Sequence, residues 1–124
     1  MELKRSSLPE LGPPAGPYSH AVLYGSTLFT SGLTAFGSEA QQASVQKQVE
    51  EIFRQLALIA SAHGTGLNNL VKVTVFIPDL SVVPELREAL FVQYGQDIPA
   101  SSMVMVAGLF SPDLLVEIEA VFAV

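Results

Sequence analysis

The strongest structural signal in this sequence is an apolar stripe of helical period between Ser44 and His63. Its members follow one another at steps of four, three, one, three, three and one, which places them on one side of a helix with 3.6 residues per turn. Gly64 follows and can supply a left-handed cap. The helix must bury this stripe against other elements. The stripe consists of Val45, Val49, Ile52, Phe53, Leu56, Ile59 and Ala60.

Five β-prone runs surround this helix, and they predict a sheet as its packing partner. The first two runs are separated only by Gly25-Ser26, which predicts a tight hairpin. In the third run, the residues at 71, 73, 75 and 77 are predicted to share one face, and Pro78-Asp79 ends the strand. The five runs are Ala21–Tyr24, Thr27–Gly32, Leu70–Ile77, Ser101–Val106 and Leu114–Val124.

A second helix is predicted from Ser81 to Tyr94, with Ser81 as its cap, Pro84 in its first turn and Gly95 at its end. The element order is then β-β-α-β-α-β-β. Residues 33–43 carry no clear period and are predicted to form a loop. Residues 1–17 include the run Gly12–Pro17, rich in Gly and Pro, and are predicted to form an extended arm ahead of one domain at 18–124.

Two helices can cover only one face of such a sheet, which predicts an α+β layer fold whose other face meets something else. In the last run, one row is uniformly apolar and fits under the helices, whereas the other row contains Glu117 and Glu119. Apolar residues make up 49% of the chain and charged residues only 15%, so its surface is short of charge. We therefore expect the uncovered face to be buried against another subunit.

Composition also excludes several classes of function. The chain has no cysteine, so disulfides and thiolate sites are excluded, and its two histidines do not suggest a metal centre. Six Lys and Arg against twelve Asp and Glu give a net charge of −6, so we expect no nucleic-acid partner. Residues 1–7 do not lead into a signal-peptide core, and no apolar run reaches about eighteen residues. We expect a cytoplasmic protein without cofactor, metal or membrane association.

Five short blocks carry a family resemblance. They are Gly16-Pro17-Tyr18-Ser19-His20-Ala21, Thr30-Ser31-Gly32, the run Val71–Leu80, Pro99-Ala100-Ser101-Ser102 and Val116-Glu117-Ile118-Glu119-Ala120. Their order and spacing over residues 13–124 resemble the reactive intermediate deaminase (Rid) family, also called YjgF and labelled L-PSP endoribonuclease. The resemblance implies a chorismate-mutase-like α+β protomer, a homotrimer, and clefts between subunits that bind small molecules. It also implies hydrolysis of enamines or imines to a carbonyl compound and ammonia, without a cofactor.

The same resemblance implies which residues form the site. Glu117 and Tyr18 match the positions expected to act on the substrate, and Ser31 and Gly32 match positions expected to bind it. Ser101 stands where the deaminase branch has an arginine, and a serine hydroxyl cannot form the two parallel hydrogen bonds that a guanidinium makes to a carboxylate. Two further positions also depart from the pattern, Leu33 after Ser-Gly and Pro84 early in the second helix.

Each of these residues also has a structural interpretation. Glu117 can accept hydrogen bonds across an interface, Tyr18 can pack the N-terminal arm, and Ser31-Gly32 can form a bulge or turn. Ser101 is an ordinary residue for the start of a strand. Met103, which we place with the substrate-binding residues, is equally suited to packing between subunits.

Three functions follow from these observations. The first is hydrolysis of an enamine or imine that needs no arginine-held carboxylate, with the alternative that Arg87 or another cation replaces the arginine. The second is a trimer that binds or senses a metabolite without catalysis. The third is RNA cleavage, which the scattered cations do not favour.

Overall fold

The computed structural model describes all residues, 1–124, as two helices on a six-stranded sheet. The strands lie in the order β1-β2-β3-β6-β4-β5. The β4–β5 pair is parallel and the other neighbours are antiparallel, so the sheet is mixed. The elements are β1 (Leu3–Ser6), β2 (Ala21–Tyr24), β3 (Thr27–Thr30), α1 (Val45–Ala62), β4 (Leu70–Ile77), α2 (Val83–Tyr94), β5 (Ala100–Met105) and β6 (Glu117–Ala123).

The predicted α+β class, with both helices on one layer, is confirmed. Helix α1 packs against α2 and across β6, and one apolar core joins both helices to the sheet. Phe53 of α1 and Phe122 of β6 are among its largest fully buried side chains. Neither helix combines the length and the apolar character needed to cross a bilayer.

The N-terminal segment contributes to the sheet, contrary to our expectation that the fold begins near residue 18. Residues Leu3–Ser6 are extended, but they pair antiparallel with β2 as its outer neighbour. Leu8 is only 5% exposed and belongs to the core. The prediction failed because β1 has no apolar alternation: its pairing uses backbone groups, and Lys4 and Arg5 keep an edge strand soluble.

The C-terminal end of α1 confirms the glycine signal in the sequence, whereas the start of α2 contradicts the predicted serine cap. The side chain of Ser44 accepts a hydrogen bond from the Lys47 backbone N–H at 3.3 Å, and Gly64 adopts a φ of 74° after the helix. Ser81, the predicted cap of α2, does not cap it. The Asp79 carboxylate instead accepts from the Ser81 backbone N–H at 2.9 Å and stabilises a single 3₁₀ turn, so that α2 begins at Val83.

The two rows predicted for the last strand are confirmed. Ile118, Ala120 and Phe122 are buried under the helices, whereas Glu119 is exposed and Glu117 is half-buried on the helix-free face. In β4 the prediction for Val71 is wrong, because a register shift between β4 and β6 leaves Val71 50% exposed and buries the neighbouring residue Leu70 instead.

Strand β5 forms the outer edge of the sheet, and each of its residues is exposed. Its apolar residues Met103, Val104 and Met105 are 40%, 41% and 59% exposed. The sheet therefore ends in an apolar, unpaired strand, which is uncommon on an isolated domain.

Candidate functional site

The candidate site is built around the Glu117 carboxyl group, which lies directly against Gly32. A pair of backbone hydrogen bonds between Leu33 and Ile118, at 2.9 and 3.0 Å, fastens the chain after β3 to the start of β6. A Cβ atom at Gly32 would lie only 3.0 Å from the Glu117 Cδ atom and 3.3 Å from its Cγ atom. The absence of a side chain at Gly32 therefore makes room for the carboxyl group.

Partial burial raises the pKa of the Glu117 carboxyl above its ordinary value of 4.5, and the negative charge of Glu119 raises it further. No hydrogen bond from the chain offsets this effect. The carboxyl group is thus shifted towards its protonated form and keeps its oxygens free for a ligand or water.

Tyr18 and Ser31 line the same cleft as this carboxyl group and are already hydrogen-bonded within the fold. The Tyr18 hydroxyl accepts from the Ala15 backbone N–H at 3.2 Å, and its ring is 44% exposed. The Ser31 hydroxyl donates to the Ser19 carbonyl oxygen at 2.6 Å. Tyr18 can still donate a hydrogen bond to a ligand, whereas Ser31 can only accept one without breaking its own bond.

One cleft of about 400 Å³ brings together four of the predicted site residues, Tyr18, Ser31, Gly32 and Glu117. This volume lies within the usual range for small-molecule sites. Two exposed aromatic residues, Phe36 and Phe110, also line the cleft. Sequence reasoning missed them because each lies in a loop without periodicity, where a lone aromatic carries no signal.

Ser101 and Met103 do not line this cleft. They lie on the exposed strand β5, where they pair with Val73 and Val75 of β4, whereas Glu117 lies on β6, on the other side of β4, and pairs with Phe76. Strand geometry places Ser101 roughly 10 Å along the sheet and about 10 Å across it from Glu117. Within one protomer, the six predicted residues therefore form two separate groups.

No cation lines the cleft itself, although Arg54 lines an adjoining cavity of about 510 Å³ that shares Tyr18, Gly32 and Phe36 with it. Arg54 is held by Glu51 through two hydrogen bonds of 2.9 Å, and Lys72 donates to the Ser102 hydroxyl at 2.7 Å. Arg87 lies exposed on α2. Within one chain, no guanidinium takes the place of the arginine that Ser101 replaces.

The two histidines serve the fold at separate places. Nδ1 of His20 accepts a hydrogen bond from the Leu8 backbone N–H at 2.9 Å. The ring of His63, at the end of α1, contacts the Ile59 carbonyl oxygen at 2.9 Å and the Ser6 hydroxyl at 3.0 Å. No three His, Asp or Glu side chains cluster as a metal site would require.

Comparison with known proteins gives a consistent family. The model of the family described as Endoribonuclease L-PSP matches residues 10–124. The RutC family protein PH0854 of Pyrococcus horikoshii is 32% identical over 111 residues, which cover 87% of each chain. The 2-iminobutanoate/2-iminopropanoate deaminase of Escherichia coli is 33% identical over 111 residues, or 86% of each chain.

Solved structures agree with these relatives. Yeast Mmf1 is 27% identical, with 98% of each chain covered and a TM-score of 0.88. Rv2704 of Mycobacterium tuberculosis, a member of the YjgF/YER057c/UK114 family, is also 27% identical, with 99% of this chain and 100% of that chain covered and a TM-score of 0.81. Together with the six-stranded sheet and its two helices, these matches show that the chain belongs to the Rid/YjgF family, whose model carries the description Endoribonuclease L-PSP.

Proposed function

We propose that this protein is a homotrimer whose clefts between subunits hydrolyse an enamine or imine to a carbonyl compound and ammonia. The observation that carries the proposal is the Glu117 carboxyl group, which is half-buried against Gly32, shifted towards protonation and in the same cleft as Tyr18. Relatives named as 2-iminobutanoate/2-iminopropanoate deaminases support this reaction class.

The separation of the predicted residues within one protomer supports a site shared between subunits. Ser101 and Met103 lie on an exposed apolar edge, and Glu117 lies on a sheet face that no helix covers. An edge strand and a helix-free face of this kind are both suited to subunit contact. In the proposed trimer, β5 of one protomer reaches the Glu117 cleft of its neighbour.

In the proposed reaction, the protonated form of the Glu117 carboxyl, which partial burial favours, donates its proton to the imine nitrogen. The resulting carboxylate takes a proton from the water molecule whose oxygen bonds to the imine carbon. Glu117 returns this proton to the nitrogen of the carbinolamine, the C–N bond breaks, and ammonia leaves. The carboxylate then recovers the hydroxyl proton as the carbonyl forms. With an enamine, the first proton goes to the β-carbon and gives the same iminium ion.

The other residues bind and orient the substrate. The Tyr18 hydroxyl can donate to the oxygen that develops on the carbinolamine, and the Ser31 hydroxyl can accept from the substrate N–H. Ser101 offers a neutral hydroxyl where the resemblance implies an arginine. The preferred substrate is therefore one whose binding does not require a carboxylate.

The test is ammonia release from 2-aminoacrylate generated enzymatically, measured above the spontaneous rate, for the wild-type protein and for Ser101→Arg. A gain on Ser101→Arg that is lost again in the double variant with Glu117→Gln supports a hydrolytic site with an altered substrate preference. Absence of ammonia release from both proteins contradicts hydrolysis of this substrate class at Glu117.

A second candidate is a trimer that binds a metabolite without catalysis, and the observation that favours it is Ser101 itself. It predicts stabilisation by ligand without turnover, about 2.7 kcal/mol at a ligand concentration one hundred times the dissociation constant. Thermal denaturation with a metabolite panel, alongside the ammonia assay, separates the two functions. Release of ammonia at a rate above background in the wild-type protein contradicts this candidate.

A further inference from the structure

We propose that Phe36 and Phe110 form a specificity subsite beside Glu117, which selects a neutral imine or enamine carrying an aryl or similarly bulky apolar group. The inference deepens the proposed hydrolysis, and it rests on that function for the nature of the reacting group. The subsite itself stands on the geometry of two aromatic rings, on the loops that hold them and on the charges around the cleft.

The two rings form one wall of the cleft. Their centroids are 4.8 Å apart and their planes meet at 88°, the edge-to-face arrangement that aromatic rings prefer. Phe36 is 47% exposed and Phe110 is 72% exposed, so neither ring is filling the core. Together with Tyr18, they place apolar surface within the same cleft as the Glu117 carboxyl.

A hydrogen-bond network links the loops that carry the two rings. Next to Phe36, the Gly37 backbone N–H donates to the Gln41 side-chain oxygen at 2.7 Å. The side-chain NH₂ group of Gln41 in turn donates to the Asp113 carboxylate at 3.2 Å. Next to Phe110, the Ser111 hydroxyl donates to Asp113 at 2.6 Å. The wall is therefore ordered before any ligand binds, which lowers the entropic cost of binding.

Charge in the cleft disfavours an anion. The lining contains one acidic residue, Glu117, and no Lys or Arg, and the whole chain carries a net charge of −6. A substrate carboxylate would lose water contacts without gaining a free cationic partner, because Arg54, which lines the adjoining cavity, is already paired with Glu51. A neutral molecule with an apolar group avoids this penalty and can stack on the exposed ring edges.

The experiment is isothermal titration with three stable probes. Benzaldehyde oxime is a neutral aryl compound with a C=N bond, acetaldehyde oxime lacks the ring, and benzoate keeps the ring but is an anion. We expect benzaldehyde oxime to bind about tenfold or more tightly than acetaldehyde oxime, because the ring buries apolar surface. We expect benzoate to bind more weakly than benzaldehyde oxime. Equal or tighter binding of either control probe overturns the proposal.

Single variants then test the two rings. We expect Phe36→Ala and Phe110→Ala each to weaken benzaldehyde oxime binding by about three- to tenfold. The matched control is Phe91→Ala, since Phe91 is 55% exposed on α2, away from the cleft. Unchanged affinity in both cleft variants overturns the proposal. So does dissociation of the oligomer with unchanged affinity, because the rings would then be a subunit contact.

The binding readout separates this inference from hydrolysis. Glu117→Gln is expected to abolish ammonia release while keeping selective binding of benzaldehyde oxime. Selective oxime binding without turnover of any imine by the wild-type protein would refute the hydrolysis and leave the subsite supported. Turnover of 2-aminoacrylate without oxime binding would support the hydrolysis and refute the subsite.

Discussion

Gly32 shows how a missing side chain can position a functional group. The backbone at Gly32 lies outside the left-handed region, so an alanine can adopt the same backbone conformation without strain. The added Cβ atom would instead clash with the Glu117 carboxyl group, which is the flexible end of a side chain and can rotate away. The residue therefore serves the site more than the fold.

From this geometry we expect Gly32→Ala to lower the melting temperature only slightly while displacing the carboxyl group and abolishing ligand-dependent stabilisation. The control is Gly108→Ala, because a Cβ at Gly108 meets no atom within 4 Å. Thermal denaturation with and without benzaldehyde oxime checks both variants. A Gly32→Ala protein that responds to the ligand like the wild type would contradict this role.

The pKa of Glu117 leads to a prediction for stability. Because partial burial raises the pKa in the folded chain, the folded state keeps its proton at pH values where the unfolded chain has lost it. The stability of the wild type must therefore fall as the pH rises from about 4.5 through the folded-state pKa. Glu117→Gln stays neutral and lacks this loss.

We therefore expect the free energy of unfolding of Glu117→Gln, relative to the wild type, to increase as the pH rises above about 4.5 and to level off above the folded-state pKa. Urea denaturation at fixed protein concentration measures it. Glu88→Gln, a change on the exposed side of α2, is the control and should show no such increase. A difference that is independent of pH would contradict the burial of this carboxyl.

Helix α1 is joined to two loops through a single buried side chain, Gln48. Its amide nitrogen lies within hydrogen-bond distance of three carbonyl oxygens, and its oxygen accepts from the Leu115 backbone N–H at 2.8 Å. These bonds run to both sides of the cleft, because the loops that they hold carry Phe36 and Phe110. The helix thus supports the aromatic wall without contacting the site.

We expect Gln48→Ala to destabilise the fold by at least about 2 kcal/mol, since it leaves several buried backbone groups without partners. Gln46→Ala is the matched control on the same helix, because Gln46 is exposed and bonds only Glu50. Chemical denaturation of both variants gives the comparison. Equal losses in the two would show that the buried amide is not holding the loops.

Periodicity predicted the helices and most strands because those elements bury one face, so their apolar residues recur with the period of the element. It could not find β1, whose pairing depends on backbone groups. It placed Val71 wrongly, because a bulge depends on the partner strand. Glu117, Tyr18, Ser31 and Gly32 came from the family resemblance and lie together. Phe36 and Phe110 could not be anticipated, since only the folded loops bring them into contact.

The whole protomer leaves two surfaces uncovered, the apolar edge at β5 and the helix-free sheet face. Val104 belongs to both, because it lies on the edge strand and pairs with Phe76, the residue opposite Glu117. If these surfaces join copies of the chain, a charge at Val104 must be buried at the contact, which is unfavourable without a partner charge.

We expect light scattering to give about 40 kDa for the wild type, three times the 13.2 kDa of one chain, and a smaller mass for Val104→Asp. Val92→Asp, on the exposed side of α2 where the residue is 79% exposed, should leave the mass unchanged. A wild-type mass of one chain at working concentration would contradict the trimer and the shared site.

The position of β6 has a consequence for biosynthesis. Although this strand comes last along the chain, it lies in the middle of the sheet, between β3 and β4. On the ribosome, the earlier strands emerge before the strand that joins them. One edge of β3 and one edge of β4 therefore lack their hydrogen-bonding partner until the final segment has been translated. Premature termination shortly before residue 117 would therefore leave two unpaired edges, and the released fragment would be a substrate for chaperones and proteases.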